Sequence, residues 1–106
     1  MTDLEITRRI AHLAERKIPA ALATVIRTKG SVPRKTGAKM IVHTDGLVEG
    51  TVGGGCGEGE VIEAALRVIK TRQPVKHQVD LTKGLFYEDG GICGGTQDIF
   101  IEPIHG

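Results

Sequence analysis

This 106-residue sequence has few aromatic side chains, and its positive and negative charges nearly balance. It contains no tryptophan, one tyrosine and two phenylalanines, and its formal net charge is +1. Proteins that bind nucleic acid depend on positive charge for affinity, and those that bind single strands also stack bases on aromatic rings. The composition therefore argues against a nucleic-acid partner.

Long apolar runs are absent as well. No segment approaches the ~20 apolar residues that a membrane-spanning helix needs. The first five residues carry acidic groups where a secretory signal carries positive charge. Two cysteines provide at most one disulfide, which is a poor framework for a domain of this size, and they suit a reducing compartment. We therefore expect a soluble cytoplasmic protein without a membrane partner.

The residue pattern predicts one α+β domain. Thr2 and Glu5 have the spacing of a helix capping box, and Asp45-Gly46 between two β-rich runs is a hairpin signal. Hairpins combined with one helical crossover predict a mixed sheet of about five strands whose two helices cover one side. The predicted helices span residues 2–17 and 58–72, and the predicted strands span residues 20–28, 38–43, 47–52, 75–81 and 96–104.

Two glycine clusters, each surrounding one of the two cysteines, are the most informative feature of the sequence. The first covers residues 53–59 with Cys56 at its centre, and the second covers residues 90–95 with Cys93. Glycine costs a fold backbone entropy, so this crowding indicates that something approaches the backbone closely at both places. Neither cluster has the G-K-[S/T] ending of a P-loop, and the first does not open a parallel dinucleotide-binding unit.

The first cluster lies between a predicted strand and a predicted helix, which is the arrangement of an anion cradle. A thiol at a helix start has a lowered pKa, so Cys56 can act as a nucleophile or a metal ligand. Glu58 is a candidate proton acceptor beside it. The alternatives are a tight turn in which the glycines serve geometry only, and an inert buried thiol.

The loop over residues 30–37 is a second candidate for anion binding. Arg34, Lys35 and nearby Lys39 supply cations, and Arg34 can form paired hydrogen bonds with a phosphate or a carboxylate. Solvated surface charge is the alternative. The four histidines have no ligand spacing and are interpreted as structural or exposed; they are His12, His43, His77 and His105.

Three segments together resemble the N-terminal domain of the XdhC/CoxI family. They are GSVPRKTGAKM over residues 30–40, GGCGEGEV over residues 54–61, and CGGT over residues 93–96 followed by IEP over residues 101–103. The resemblance covers nearly the whole chain in the right order. The matching positions are Ser31, Pro33, Arg34, Gly37 and Lys39 in the first motif, Gly54, Gly55, Cys56 and Glu58 in the second, and Cys93, Gly94 and Gly95 in the third.

The resemblance implies an accessory protein rather than an enzyme. Members of the family bind the molybdenum cofactor, protect it while its terminal sulfido ligand is installed, and pass it to a molybdenum hydroxylase apoenzyme such as xanthine dehydrogenase. It implies molybdopterin, in mono- or dinucleotide form, as the ligand and a cysteine desulfurase as a further partner. Cys56 is then the metal-binding thiol and Cys93 an auxiliary one. The implied cofactor-binding residues are Ser31, Arg34, Lys39, Gly54, Gly55, Cys56, Glu58, Cys93, Gly94 and Gly95.

Two departures from the family pattern shape these expectations. The family carries a second, Rossmann-like C-terminal domain, whereas this sequence ends at Gly106. We therefore expect the single domain of residues 1–106 to dimerise, to meet a separate Rossmann-domain chain, or to perform part of the task; exposed strand edges favour a homo-oligomer. Gly57 replaces a larger apolar residue, and we expect it to loosen the loop after Cys56.

Two other functions remain open at the level of sequence. One is a thiol-dependent enzyme in which Cys56 is the nucleophile and Glu58 or a partner residue is the base. The other is a structural interaction module that uses the glycine loops only as turns.

Overall fold

Two helices and five strands form the part of the chain that the computed structural model describes, which is residues 1–32, 34–53, 57–82 and 94–104. Neither described helix has the length and the apolar character needed to cross a membrane. The helices are α1 (Asp3–Glu15) and α2 (Glu58–Thr71), and the strands are β1 (Ala20–Lys29), β2 (Lys39–His43), β3 (Val48–Gly50), β4 (Val75–Asp80) and β5 (Thr96–Pro103).

The five strands form one sheet in the order β3-β2-β1-β5-β4. The α+β class, the two helices and the five strands confirm the prediction from sequence. The expected mixed sheet is wrong, because all four strand pairs are antiparallel. The helical crossover from β3 to β4 does join two strands that run in the same direction. These strands lie at opposite edges, so the crossover creates no parallel pair.

The helices lie on opposite faces of the sheet, which corrects the prediction that they cover one side. Alternate residues of a strand point to opposite faces, and the two buried clusters divide β1 in this way. Ala21, Ala23 and Val25 belong to the cluster that contains the apolar face of α2. Ala20 and Leu22 belong to the cluster that contains Ile6 and Leu13 of α1. The first half of β1 is therefore buried on both faces, as its unbroken apolar run predicts.

Local signals set the element boundaries close to where the sequence places them. Thr2 and Glu5 form the predicted capping box at the start of α1. The hairpin over β2 and β3 turns at Gly46, whose positive φ of 84° suits glycine. These local interactions set the start of α1 and the turn between β2 and β3.

A three-residue network attaches α1 to the β2–β3 hairpin. Arg9 donates two hydrogen bonds to the Glu49 carboxylate, with distances of 2.8 and 3.1 Å, and His43 Nε2 lies 2.6 Å from Glu49 Oε2. The hydrogen bonds from Arg9 lower the pKa of Glu49, partial burial opposes them, and His43 lowers it further. The folded state therefore favours the ionised form of Glu49.

We expect the stabilisation from this network to be lost in acid. Because the folded pKa of Glu49 lies below its ordinary value of 4.5, the contribution is complete above that value and disappears as the pH falls through the folded pKa. Urea unfolding from pH 7 to pH 3 should show Glu49→Gln less stable than the native chain at neutral pH, with the difference shrinking in acid. Glu15→Gln on the exposed surface is the control. A difference that does not change with pH would contradict this assignment.

Candidate functional site

The first and third motifs meet at one end of the sheet. The register of β1 and β5 pairs Lys29 with Thr96, so the chain leaving β1 passes the chain entering β5. The backbone N–H of Gly94 donates to the carbonyl oxygen of Ser31 at 2.9 Å. The antiparallel ladder therefore brings together two segments that are more than sixty positions apart in sequence.

The glycines at this junction are required by contact between backbones. A Cβ on Gly95 would overlap the carbonyl oxygen of Lys29 and lie 2.9 Å from Ser31 N. Gly30 has a positive φ of 76°, and a Cβ there would lie 3.1 Å from the Cα of Gly95. The close approach predicted for the second glycine cluster is confirmed at Gly95, and the group that approaches is another part of the chain. Gly94, in contrast, has open space where its Cβ would lie.

Gln97 connects all three motif regions. Its side chain is buried, with 1% of its surface exposed. Nε2 donates to the carbonyl oxygen of Val52 at 3.0 Å and to that of Arg34 at 3.2 Å. Val52 leads into the second motif, Arg34 belongs to the first, and Gln97 follows the third. Both partners are acceptors, which sets the orientation of the amide, and the buried Oε1 has no hydrogen-bond partner among the described residues.

Gln97 is absent from the sites predicted from sequence, although its position carries a signal. Gln97, Ile99 and Ile101 have the period of two that places them on the buried face of β5. A polar amide at a core position needs a hydrogen-bonding reason. The reason here is the pair of carbonyls that Gln97 holds together.

We expect Gln97→Glu to destabilise the chain by about 3 kcal/mol at pH 7, because a carboxylate cannot donate to two carbonyls and its charge is buried. Burial should raise the pKa of the introduced carboxyl, so stability should be lost as the pH rises and regained in acid. Urea unfolding at several pH values would test this. Gln73→Glu, the same change at an exposed position between α2 and β4, should have little effect. Equal stability of both variants at neutral pH would contradict the role of Gln97.

Glu58 of the second motif binds the part of the chain that precedes this motif. Its carboxylate accepts a short hydrogen bond from Thr51 Oγ1 and one of 3.2 Å from Gly53 N. This ties the first residue of α2 to the chain before the motif. Hydrogen bonding to Thr51 and Gly53 gives Glu58 a structural role, which the hypothesis of a general base did not anticipate.

The conformation and the neighbours of Gly57 both require glycine at this position. It has a positive φ of 71°, and a Cβ there would lie 2.5 Å from Val79 Cγ1. A larger residue would be strained in both respects. β4 packs directly against Gly57, whereas residues 54–56 of the loop that Gly57 is expected to loosen lie outside the described residues.

Cationic side chains surround the loop of the first motif. Arg34 and Lys35 are exposed, as are Arg27 and Lys29 near the end of β1. Lys39, at the start of β2, is partly buried and its Nζ donates to the carbonyl oxygen of Gly37 at 3.2 Å. This end of the sheet is therefore suited to an anionic ligand.

The described residues hold only part of the predicted site. Ser31, Arg34 and Lys39 lie on the β1–β2 side, Gly94 and Gly95 open β5, and Glu58 opens α2. Five of the matching positions lie outside the described residues; they are Pro33, Gly54, Gly55, Cys56 and Cys93. Within residues 1–32, 34–53, 57–82 and 94–104, no three His, Asp or Glu side chains are grouped to hold a metal ion.

Two clefts lined by described residues lie away from the motifs. One, of about 280 Å³, is at the opposite end of β1 and is lined by residues 17–20 together with Ile69, Arg72, Pro103 and Ile104. The other, of about 440 Å³, lies between α2 and β4. Apart from Pro103 of the IEP segment, no residue of the three motifs lines either cleft.

Comparison with known proteins agrees with the motifs. The model of the XdhC and CoxI family matches residues 13–80. The chain is 35% identical over 103 residues to "Uncharacterized protein YqeB" of Escherichia coli (strain K12), which covers 97% of this chain and 19% of that protein. It is 31% identical over 94 residues to a probable xanthine dehydrogenase subunit of Bacillus subtilis (strain 168), covering 87% of this chain and 28% of that protein.

A solved structure shows the same fold. The crystal structure of a xanthine dehydrogenase from Bacillus halodurans superposes with a TM-score of 0.79 and 31% sequence identity, covering 98% of this chain and 31% of that chain. This chain therefore spans less than a third of the length of each of these three proteins.

Proposed function

This chain belongs to the XdhC and CoxI family, and on that premise we propose that it binds the molybdenum cofactor and holds it for a molybdenum hydroxylase of the xanthine dehydrogenase type. The role is that of an accessory protein in enzyme maturation. Two of the similar proteins carry xanthine dehydrogenase in their names. That association supports the class of client, and the choice of cofactor is our own proposal.

The observation that carries the proposal is the convergence of three motif regions on Gln97. This side chain binds the carbonyls of Val52 and Arg34, and it follows the third motif directly in sequence. Three segments that are separate in the chain are thereby held at one end of the sheet. Because Val52, Arg34 and Gln97 are held together before binding, a ligand that contacts all three segments would lose less entropy.

The described residues fit the chemistry of a molybdenum cofactor. A pterin phosphate or diphosphate requires cations, and Arg34 and Lys35 are exposed at the loop. The buried Oε1 of Gln97 has no hydrogen-bond partner within the part of the chain that the structure describes, and a pterin ring has N–H groups that such an acceptor binds. Cys56 is the proposed ligand of the metal, since a thiolate suits a soft molybdenum–sulfur centre.

The cofactor, when bound, supplies a molybdenum centre that carries a terminal sulfido ligand. The work of the chain is to hold and shield it. Arg34 and Lys39 orient the phosphate end, and Glu58 anchors the start of α2 through Thr51 and Gly53. A cysteine desulfurase is the proposed sulfur source, and a separate Rossmann-like chain is a further proposed partner.

A transfer assay tests this function. The chain would be co-expressed with the enzymes of molybdopterin synthesis, purified, and mixed with the apoenzyme of a xanthine dehydrogenase. We expect the chain to carry molybdenum and to raise the activity of the apoenzyme, with the molybdenum moving from one protein to the other. Chain that carries no molybdenum, or that loses it without activating the apoenzyme, would overturn the proposal. Serum albumin treated in the same way is the control.

A further inference from the structure

Among the described strands, β4 is hydrogen-bonded only to β5, and its other edge has no partner strand. Just after β4 ends, Leu81 N donates to the carbonyl oxygen of Gly95 at 2.9 Å. This hydrogen bond shows which residues of β4 turn their backbone groups toward β5 and which turn them away. Antiparallel pairs alternate between bonded and non-bonded positions. Odd-numbered residues of β4 therefore bond to β5, and the N–H and C=O groups of Lys76, Gln78 and Asp80 point outward.

The outward residues of one β4 strand are complementary in charge to the same residues of a second, antiparallel copy. If Gln78 lies opposite Gln78 of a second copy in an antiparallel arrangement, Lys76 lies opposite Asp80 of that copy, and the reverse pair also forms. All three outward residues then occupy bonded positions, which gives about six backbone hydrogen bonds. Shifting the register by two residues removes both charge pairs.

We propose that β4 pairs with β4 of a second copy of this chain to form a two-fold symmetric dimer with a continuous ten-stranded sheet. A lysine on an edge strand ordinarily discourages pairing, whereas here each Lys76 meets an acidic partner. Asp80 Oδ1 already accepts from Thr82, and a carboxylate has lone pairs for a further donor. The dimer does not depend on the proposed binding of the molybdenum cofactor.

An exposed apolar side chain at the same edge supports this partner. Val75 is 40% exposed and borders the cleft between α2 and β4. In the proposed register, Val75 lies opposite Leu81 of the second copy. Leu81 is already buried in its own chain, so the apolar surface that pairing would cover is that of Val75, which favours association.

Sedimentation velocity of the 106-residue chain tests the dimer at concentrations up to about 1 mM. At that concentration a dimer with a Kd of about 1 mM is half associated. We expect a dimer that Lys76→Glu weakens about tenfold or more, because two attractive pairs become repulsive. Gln78→Pro removes the central outward N–H, which an edge strand tolerates, and should give monomer. Arg8→Glu, the same charge change on exposed α1, should leave the dimer intact.

A mixing experiment separates specific pairing from a general effect of charge. Lys76→Glu and Asp80→Lys chains should each dimerise poorly alone, and together they should form a heterodimer, because each altered residue then meets an opposite charge. Circular dichroism of each variant reports whether it is folded. Native chain that stays monomeric at about 1 mM, or a dimer that both Lys76→Glu and Gln78→Pro leave unchanged, would overturn the proposal.

Discussion

Replacing Gly95 by alanine is expected to destabilise the chain by about 3 kcal/mol or more. The new Cβ would overlap the carbonyl oxygen of Lys29 and lie 2.9 Å from both Gly30 C and Ser31 N. All three obstacles are backbone atoms, so no side chain can rotate to make room. Urea unfolding, with the midpoint and the slope both fitted, measures the loss.

Two other glycines provide matched controls for this prediction. Gly94→Ala adds the same methyl group one position earlier, into open space, and should change the free energy of unfolding by less than about 0.5 kcal/mol. Gly59→Ala, within α2, should stabilise the chain by about 0.5 kcal/mol because alanine is the better helix former. Similar stabilities for Gly95→Ala and Gly94→Ala would show that the two motif segments do not meet as described.

Replacing Cys56 by serine is expected to lower the molybdenum content of the purified chain about tenfold or more. Loss of residues that merely support metal ligands already costs about 10- to 100-fold in affinity, and serine replaces a soft thiolate by a hard, protonated hydroxyl. Molybdenum per chain would be measured after co-expression with molybdopterin synthesis. The free energy of unfolding of the same samples separates loss of the ligand from loss of the fold.

Cys93→Ser is the matched control for Cys56→Ser. Cys93 has the auxiliary role in the proposal, so its replacement should reduce the molybdenum content less than replacement of Cys56. Equal retention by the native chain and by Cys56→Ser would remove Cys56 as the metal ligand. A greater loss from Cys93→Ser would exchange the roles of the two thiols.

Local patterns in the sequence were sufficient to predict most of the fold. The capping box of Thr2 and Glu5, the turn at Gly46 and the alternation of β4 each involve residues a few positions apart. Arrangement over long distances was harder to predict. The crossover through α2 was recognised, but nothing local determines that β4 joins β5 at the far edge and leaves three strands between itself and β3.

The apolar run at the start of β1 holds information about both faces of the sheet. A strand buried on both faces needs a cover on each, and the structure places α1 on one face and α2 on the other. The prediction of two helices on one side conflicts with that requirement. Combining the two inferences would have given the observed arrangement.

The sequence indicated which glycines are structurally important, but not what each of them packs against. A pattern of glycines shows that the backbone is approached closely, but it does not identify the approaching group. At Gly30 and Gly95 that group is backbone, and at Gly57 it is the side chain of Val79. Gln97 was missed because its importance depends on the carbonyls of Val52 and Arg34, which are distant in sequence.

Binding of the molybdenum cofactor would be tested by native mass spectrometry and metal analysis of the chain, purified after co-expression with the enzymes of molybdopterin synthesis. We expect a population heavier than the bare chain by the mass of one molybdopterin with its molybdenum. Chain found only at its bare mass, from cells in which a molybdenum enzyme is fully loaded, would contradict it.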